Sequence, residues 1–161
     1  MKTLIVYYSM SGNTKFASRE IARELDADVM EIKPQKAYPD KGVRKFLWGG
    51  KSAVMGDTPP LVPYEFDGAE YDRIVIASPV WASSFAPPIR TFIKENRGAI
   101  ADKKIAAVFC CSGGDADKAI SKLKDFAGIG VFEKTLVLVD PKDKPEQDKI
   151  KQMREFAEFL K

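Results

Sequence analysis

The chain has 161 residues, enough for one domain spanning residues 1–161, and its 45% hydrophobic content excludes a disordered chain. No apolar run approaches the roughly 20 residues that cross a bilayer, and the stretch after Lys2 is too short for a signal-peptide core, so the expectation is a cytoplasmic protein without membrane association. With a net charge of +3, no histidine, and Cys110 adjacent to Cys111 as the two cysteines, the sequence excludes His-based acid–base chemistry, His metal sites and a disulfide framework; chemistry is left to a bound cofactor.

Strand and helix patterns alternate along the chain. Residues 3–8 are an apolar, β-branched run and predict the first strand. Residues 13–27 follow as an amphipathic helix, with Ala17, Ile21 and Leu25 four apart and Phe16 and Ala22 widening the stripe. Residues 28–33 alternate and predict a short strand. Residues 34–70 are rich in Pro and Gly, and a short helix over 43–48 is expected inside them. Residues 33–51 carry Lys33, Lys36, Lys41, Arg44, Lys45 and Lys51 against Asp40, either a solvated loop or a docking surface for an acidic partner or anionic substrate. Basic and aromatic residues do not interleave as a nucleic-acid surface requires.

Residues 73–77 predict a strand buried on both faces. Phe85, Ile89, Phe92 and Ile93 mark the next helix, with Pro87 and Pro88 in its first turn. Residues 104–111 predict a strand, and Ala116, Ala119, Ile120, Leu123 and Phe126 a helix. Residues 131–139 predict the fifth strand. Asp143, Lys144, Pro145 and Glu146 give a capping signal for a last helix striped by Ile150, Met153, Phe156, Ala157 and Leu160. This alternation predicts an α/β fold: a doubly wound five-stranded parallel sheet in the order 2-1-3-4-5.

In such a sheet ligands bind at the carboxyl ends of the strands, at the switch point between strands one and three. Three loops reach that place. Ser9, Met10, Ser11, Gly12, Asn13 and Thr14 join the first strand to its helix and offer three hydroxyls, an amide and a glycine at a helix N-terminus, where backbone N–H groups favour an anion. A plain Ser/Asn helix cap is the alternative. A Walker loop is excluded because Asn13, not Lys, follows Gly12; no G-x-G-x-x-G is present, and no Arg follows the cysteines at phosphatase spacing. The second loop holds Ser78, Pro79, Val80, Trp81, Ala82 and Ser83, with Trp81 placed either to stack on a planar ring or to pack in the ordinary way. The third is Ser112, Gly113, Gly114 and Asp115, whose glycines permit close backbone approach and whose Asp115 is an N-cap for the next helix and the only acid of the three loops. Cys110 and Cys111 are read as small buried residues.

Together the loops resemble those of the flavodoxin family over the whole chain. Residues 8–14 look like that family's phosphate loop for FMN. Residues 78–81, followed by Pro87, Pro88 and Phe92, look like its first flavin loop, and residues 112–115 like its second. The resemblance implies FMN as cofactor, with Trp81 against the isoalloxazine ring and the backbone of residues 79–83 and 112–115 at its polar edge. This chain is basic where typical flavodoxins are acidic, and residues 34–70 differ from a plain second helix.

Three functions remain open at this point. One is an FMN-dependent electron carrier working between redox partners. Another is an NAD(P)H-dependent FMN enzyme that reduces quinones or other small acceptors. The third is a non-redox module using the phosphate loop for another ligand. The partner is accordingly a redox protein or a small-molecule acceptor, with no nucleic acid and no membrane.

Overall fold

The structure is a computed structural model that describes residues 1–39 and 42–161, leaving aside the side chains of residues 42–46. Asp40, Lys41, Arg44 and Lys45 of the basic run therefore lie outside the described side chains.

Three apolar runs, each buried on both faces, form the middle of the sheet. β1 (Thr3–Tyr7), β3 (Arg73–Trp81) and β5 (Lys104–Cys111) are parallel, flanked by β2 (Asp28–Glu31) and β6 (Thr135–Val139), in the order β2-β1-β3-β5-β6. This is the predicted order. One strand more than expected is present: β4 (Ser84–Phe85) pairs antiparallel with the end of β3, Val80 opposite Phe85 and Trp81 opposite Ser84. Ala82 and Ser83 turn this hairpin at φ 48° and 57°. That is the two-residue turn whose twist suits a hairpin, built here without glycine.

Side-chain alternation divides the core in two. Ile5, Tyr7, Val75, Ala77, Ala106 and Val108 face α1 (Asn13–Leu25) and α5 (Gln147–Leu160), which contribute Ala17, Ile21, Met153 and Phe156. Leu4, Val6, Ile74, Ile76, Ala107 and Phe109 face the other way, toward α3 (Pro87–Ile100) and α4 (Asp117–Ala127), with Phe92 and Leu123. Strands covered on both faces have no polar side, so they read as continuous apolar runs.

Four expectations need correcting. Phe85 belongs to β4, not to the helix; α3 starts at Pro87, where the missing proline N–H costs nothing. The helix expected over 43–48 is α2 (Gly42–Met55), which runs on through Gly49 and Gly50. The last strand begins at Thr135 rather than 131. Val131 is 78% exposed on the way to this edge strand. The capping signal before α5 fails because Asp143 turns away to Asn13, and the N-cap, Glu146, makes no side-chain cap bond.

The base of the sheet is tied by one buried cation. Arg73, 2% exposed, donates from Nε and Nη2 to Glu133 at 2.6 and 2.8 Å, and from Nη1 to the Leu160 carbonyl at 2.6 Å. Three strands' worth of chain and the end of α5 meet on it, at the pole opposite the loops that follow β1, β3 and β5.

Candidate functional site

The sheet order reverses between β1 and β3, and a cleft opens there at the carboxyl ends of the strands. Its wall is made by Met10, Ser11, Asn13 and Thr14 after β1, Pro79, Val80, Trp81 and Ala82 after β3, and Ser112 after β5. The three loops read from sequence thus converge. Gly50 of α2, Cys110, Cys111 and Asp140 complete the wall. Ser9, Gly12, Ser83, Gly113, Gly114 and Asp115 lie on the same loops without lining it.

At one end is the N-terminus of α1. Its first helical bond runs from Phe16 N to Gly12 O, which leaves the N–H groups of Asn13, Thr14 and Lys15 without a carbonyl from their own helix. Among the described residues no side chain caps them. Ser9 does not, because its Oγ accepts from Gly12 N at 3.1 Å and closes the loop on itself. Asn13 does not either. Its Oδ1 accepts from Lys142 N at 2.8 Å, and its Nδ2 donates to Asp143 at 2.9 Å and Ser11 Oγ at 3.3 Å. The plain-cap reading therefore fails on geometry. Gly12 holds φ 95°, a left-handed conformation that suits glycine, and this bend presents the free N–H groups outward.

The aromatic part of the wall is Trp81, held from the side by two tyrosines. The Trp81 indole meets Tyr8 edge-on at 5.5 Å and Tyr38 at 5.2 Å between ring centroids. A β-carbon at Gly49 would lie 3.2 Å from the indole, so the glycine lets α2 pass directly over the ring. Burial pushes the Tyr8 phenol far above its ordinary value, with Tyr38 adding to the shift. Tyr38 is raised by burial too, partly offset by its 3.1 Å hydrogen bond with Ser52. The cluster is neutral at ordinary pH, an apolar face for a planar ring.

Of the third loop, Ser112 lines the cleft. Asp115 Oδ1 accepts from Asp117 N at 3.2 Å and steadies the start of α4, whose N-cap is Ala116, one residue later than expected. Cys110 and Cys111 are free and buried, as read from sequence. Burial pushes the Cys110 thiol up to about 12, so it is no nucleophile at neutral pH. Asp140 is the acid that sequence reasoning missed. It follows β6 with φ 41° and pairs with Lys144 at 3.6 Å. Its only sequence signal was its place at the carboxyl end of the last strand.

Among the described residues no group of three His, Cys, Asp or Glu side chains is placed to hold a metal. No helix among them is long and apolar enough to cross a membrane. Neutral hydroxyls, free backbone N–H groups and an aromatic wall are the donor set for a phosphorylated, planar organic ligand.

Residues 2–152 match the sequence profile of the Flavodoxin family. This chain belongs to the flavodoxin family. A flavoprotein of Lactobacillus acidophilus, solved in complex with FMN, is 27% identical; the match covers 93% of this chain and 98% of that one, with a TM-score of 0.72. The apo-form of a flavoprotein from the same organism is 28% identical over 89% of this chain and 95% of that one, TM-score 0.65. Two-electron reduced Megasphaera elsdenii flavodoxin, at 16% identity, shares the fold, with a TM-score of 0.61 over 97% and 98% of the two chains.

Proposed function

We propose that this chain binds FMN in the cleft and carries electrons between redox partners through it. The observation that carries the reading is the uncapped N-terminus of α1, opening beside the neutral Trp81 wall. The FMN complex of the Lactobacillus acidophilus relative supports the same ligand. Ser11, Thr14 and the N–H groups of residues 13–15 would hold the phosphate, and Trp81 would meet the ring. When bound, FMN supplies one- and two-electron redox chemistry. The chain's own part is to bind, orient and shield. The Tyr8–Tyr38–Trp81 cluster excludes water from one side, and the hairpin at Ala82 and Ser83 fixes where Trp81 stands.

Surface beside the cleft supports a docking role. Leu47, Trp48, Val54 and Met55 of α2 are 57–70% exposed, on the helix whose Gly49 and Gly50 meet the site. Lys33, Lys36 and Lys51 are exposed in the same region. That combination suits an acidic redox protein, and equally the second reading, an NAD(P)H-dependent reductase whose nucleotide phosphates the cations would meet. A reductive titration and a turnover assay separate the two. Reduction in two separated one-electron stages, without NAD(P)H oxidation, is expected of the carrier. Steady NAD(P)H oxidation with a quinone and no added reductase would replace it with the enzyme.

Ser11→Ala and Thr14→Ala are expected to weaken FMN by about 0.5–1.5 kcal/mol for each hydrogen bond lost and to spare riboflavin. Fluorescence titration of the apo-protein with both flavins checks this. Equal losses for both would move the phosphate elsewhere.

A further inference from the structure

The loop after β6 brings a cation against the loop that opens α1, without any local sequence signal for it. Lys142 stands 129 residues from Asn13, yet its backbone N donates to Asn13 Oδ1 at 2.8 Å. Its side chain then lies across Gly12. A β-carbon at Gly12 would be 3.2 Å from Lys142 Nζ and 3.3 Å from both Cδ and Cε. Any side chain at position 12 would occupy the track of the lysine stem. Gly12 thus serves two needs, the left-handed bend and the passage of Lys142.

Among the described residues, two neighbouring lysines have partners of their own. Lys15, in the first turn of α1, pairs with Glu31 at 3.4 Å, toward β2. Lys144 pairs with Asp140 at 3.6 Å. Lys142 Nζ is 3.2 Å from Asp143 Oδ1, a contact between two side chains about half exposed. Exposed pairs of this kind contribute little and exchange partners readily. Asp143 is also held by Asn13, so it stays at the rim while the flexible ammonium can move.

We infer that Lys142 is a specificity residue for the phosphate end of the cleft: its ammonium, led across Gly12 by the Asn13 clamp, exchanges Asp143 for the ligand's phosphate dianion. The inference rests on the FMN reading above. It assigns Asn13 a positioning role, holding the loop that carries the cation, in place of direct contact through its amide oxygen. A mobile, solvent-exposed ammonium adds a modest, salt-screened attraction to the neutral donors of the loop.

The test is a fluorescence titration of apo-protein with FMN and with riboflavin, at low and high salt, for wild type, Lys142→Gln and Lys142→Arg. Lys142→Gln is expected to bind FMN about 3- to 10-fold more weakly at low salt, to bind riboflavin as wild type does, and to show a flatter salt dependence for FMN. Lys142→Arg is expected to keep the preference for FMN. Unchanged FMN affinity and salt dependence in Lys142→Gln, with wild type still preferring FMN, overturns the role of Lys142 and leaves the cleft reading intact. Equal weakening of FMN and riboflavin also overturns it, because the residue would then act on the fold. A wild-type protein that does not distinguish the two flavins overturns the cleft reading and this inference together.

Discussion

Trp81→Ala is expected to weaken FMN and riboflavin alike, by about 1–3 kcal/mol, or roughly 5- to 150-fold, the range for losing one aromatic platform beneath a planar ring. The equality of the two losses is the distinctive part. On the proposed reading Trp81, which lines the cleft, would meet the ring, the part the two flavins share. The indole is also held on two edges, by Tyr8 at 5.5 Å and Tyr38 at 5.2 Å. Edge-to-face contacts add about 0.5–1.5 kcal/mol each, so a stability loss of about 1–3 kcal/mol should accompany the substitution. Trp81→Phe should keep most of both. Titration with each flavin, beside a urea unfolding curve, checks the prediction. An unchanged riboflavin affinity would show that Trp81 is packing and not platform.

Glu133→Ala is expected to destabilise the fold by about 3–5 kcal/mol, the cost of leaving a buried cation without its partner. Arg73 is 2% exposed and holds Glu133 through two hydrogen bonds, with the Leu160 carbonyl as a third acceptor. Removing the carboxylate strands the guanidinium in the base of the sheet. Replacing both residues together, Arg73→Met with Glu133→Leu, should recover most of the loss, since an apolar pair does not need the charge. Urea unfolding of the single and double variants tests the order. A single variant within 1 kcal/mol of wild type, on the order of a surface pair, would mean that the pair is not buried in solution.

The same pair sets a pH dependence. The hydrogen bond from Arg73 holds the Glu133 carboxyl below its ordinary value of 4.5, against the opposing pull of burial. A lowered carboxylate stabilises the fold above the unfolded value and loses that contribution as pH falls. Stability should therefore start to decline once pH drops below about 4.5, until Glu133 is protonated in the folded state too. In Glu133→Gln this share of the acid decline should be absent.

What was legible in the sequence follows from how far each signal reaches along the chain. Parallel strands covered on both faces leave long apolar runs, so residues 3–8, 73–77 and 104–111 mark the sheet and its order. The three loops that converge on the cleft were legible because each lies within a few residues of a strand end. The extent of α2 was not, because it runs on through Gly49 and Gly50 in a Pro- and Gly-rich stretch; Gly49 permits the close passage over Trp81. The hairpin after β3 was hidden because Ala82 and Ser83 adopt left-handed φ without the Asn-Gly signature. The clamp of Asn13 on Lys142 and Asp143, across 129 and 130 residues, has no local signal at all. It also drew Asp143 away from the cap that its spacing before Glu146 suggested.

The central claim is that the open end of α1 takes the phosphate of FMN in this cleft. Calorimetric titration of the wild-type apo-protein with FMN and with riboflavin tests it most directly. Both are expected to bind at one site, FMN more tightly by at least the hydrogen bonds that Ser11 and Thr14 supply. Equal affinity for the two flavins, or no binding of either, would contradict it.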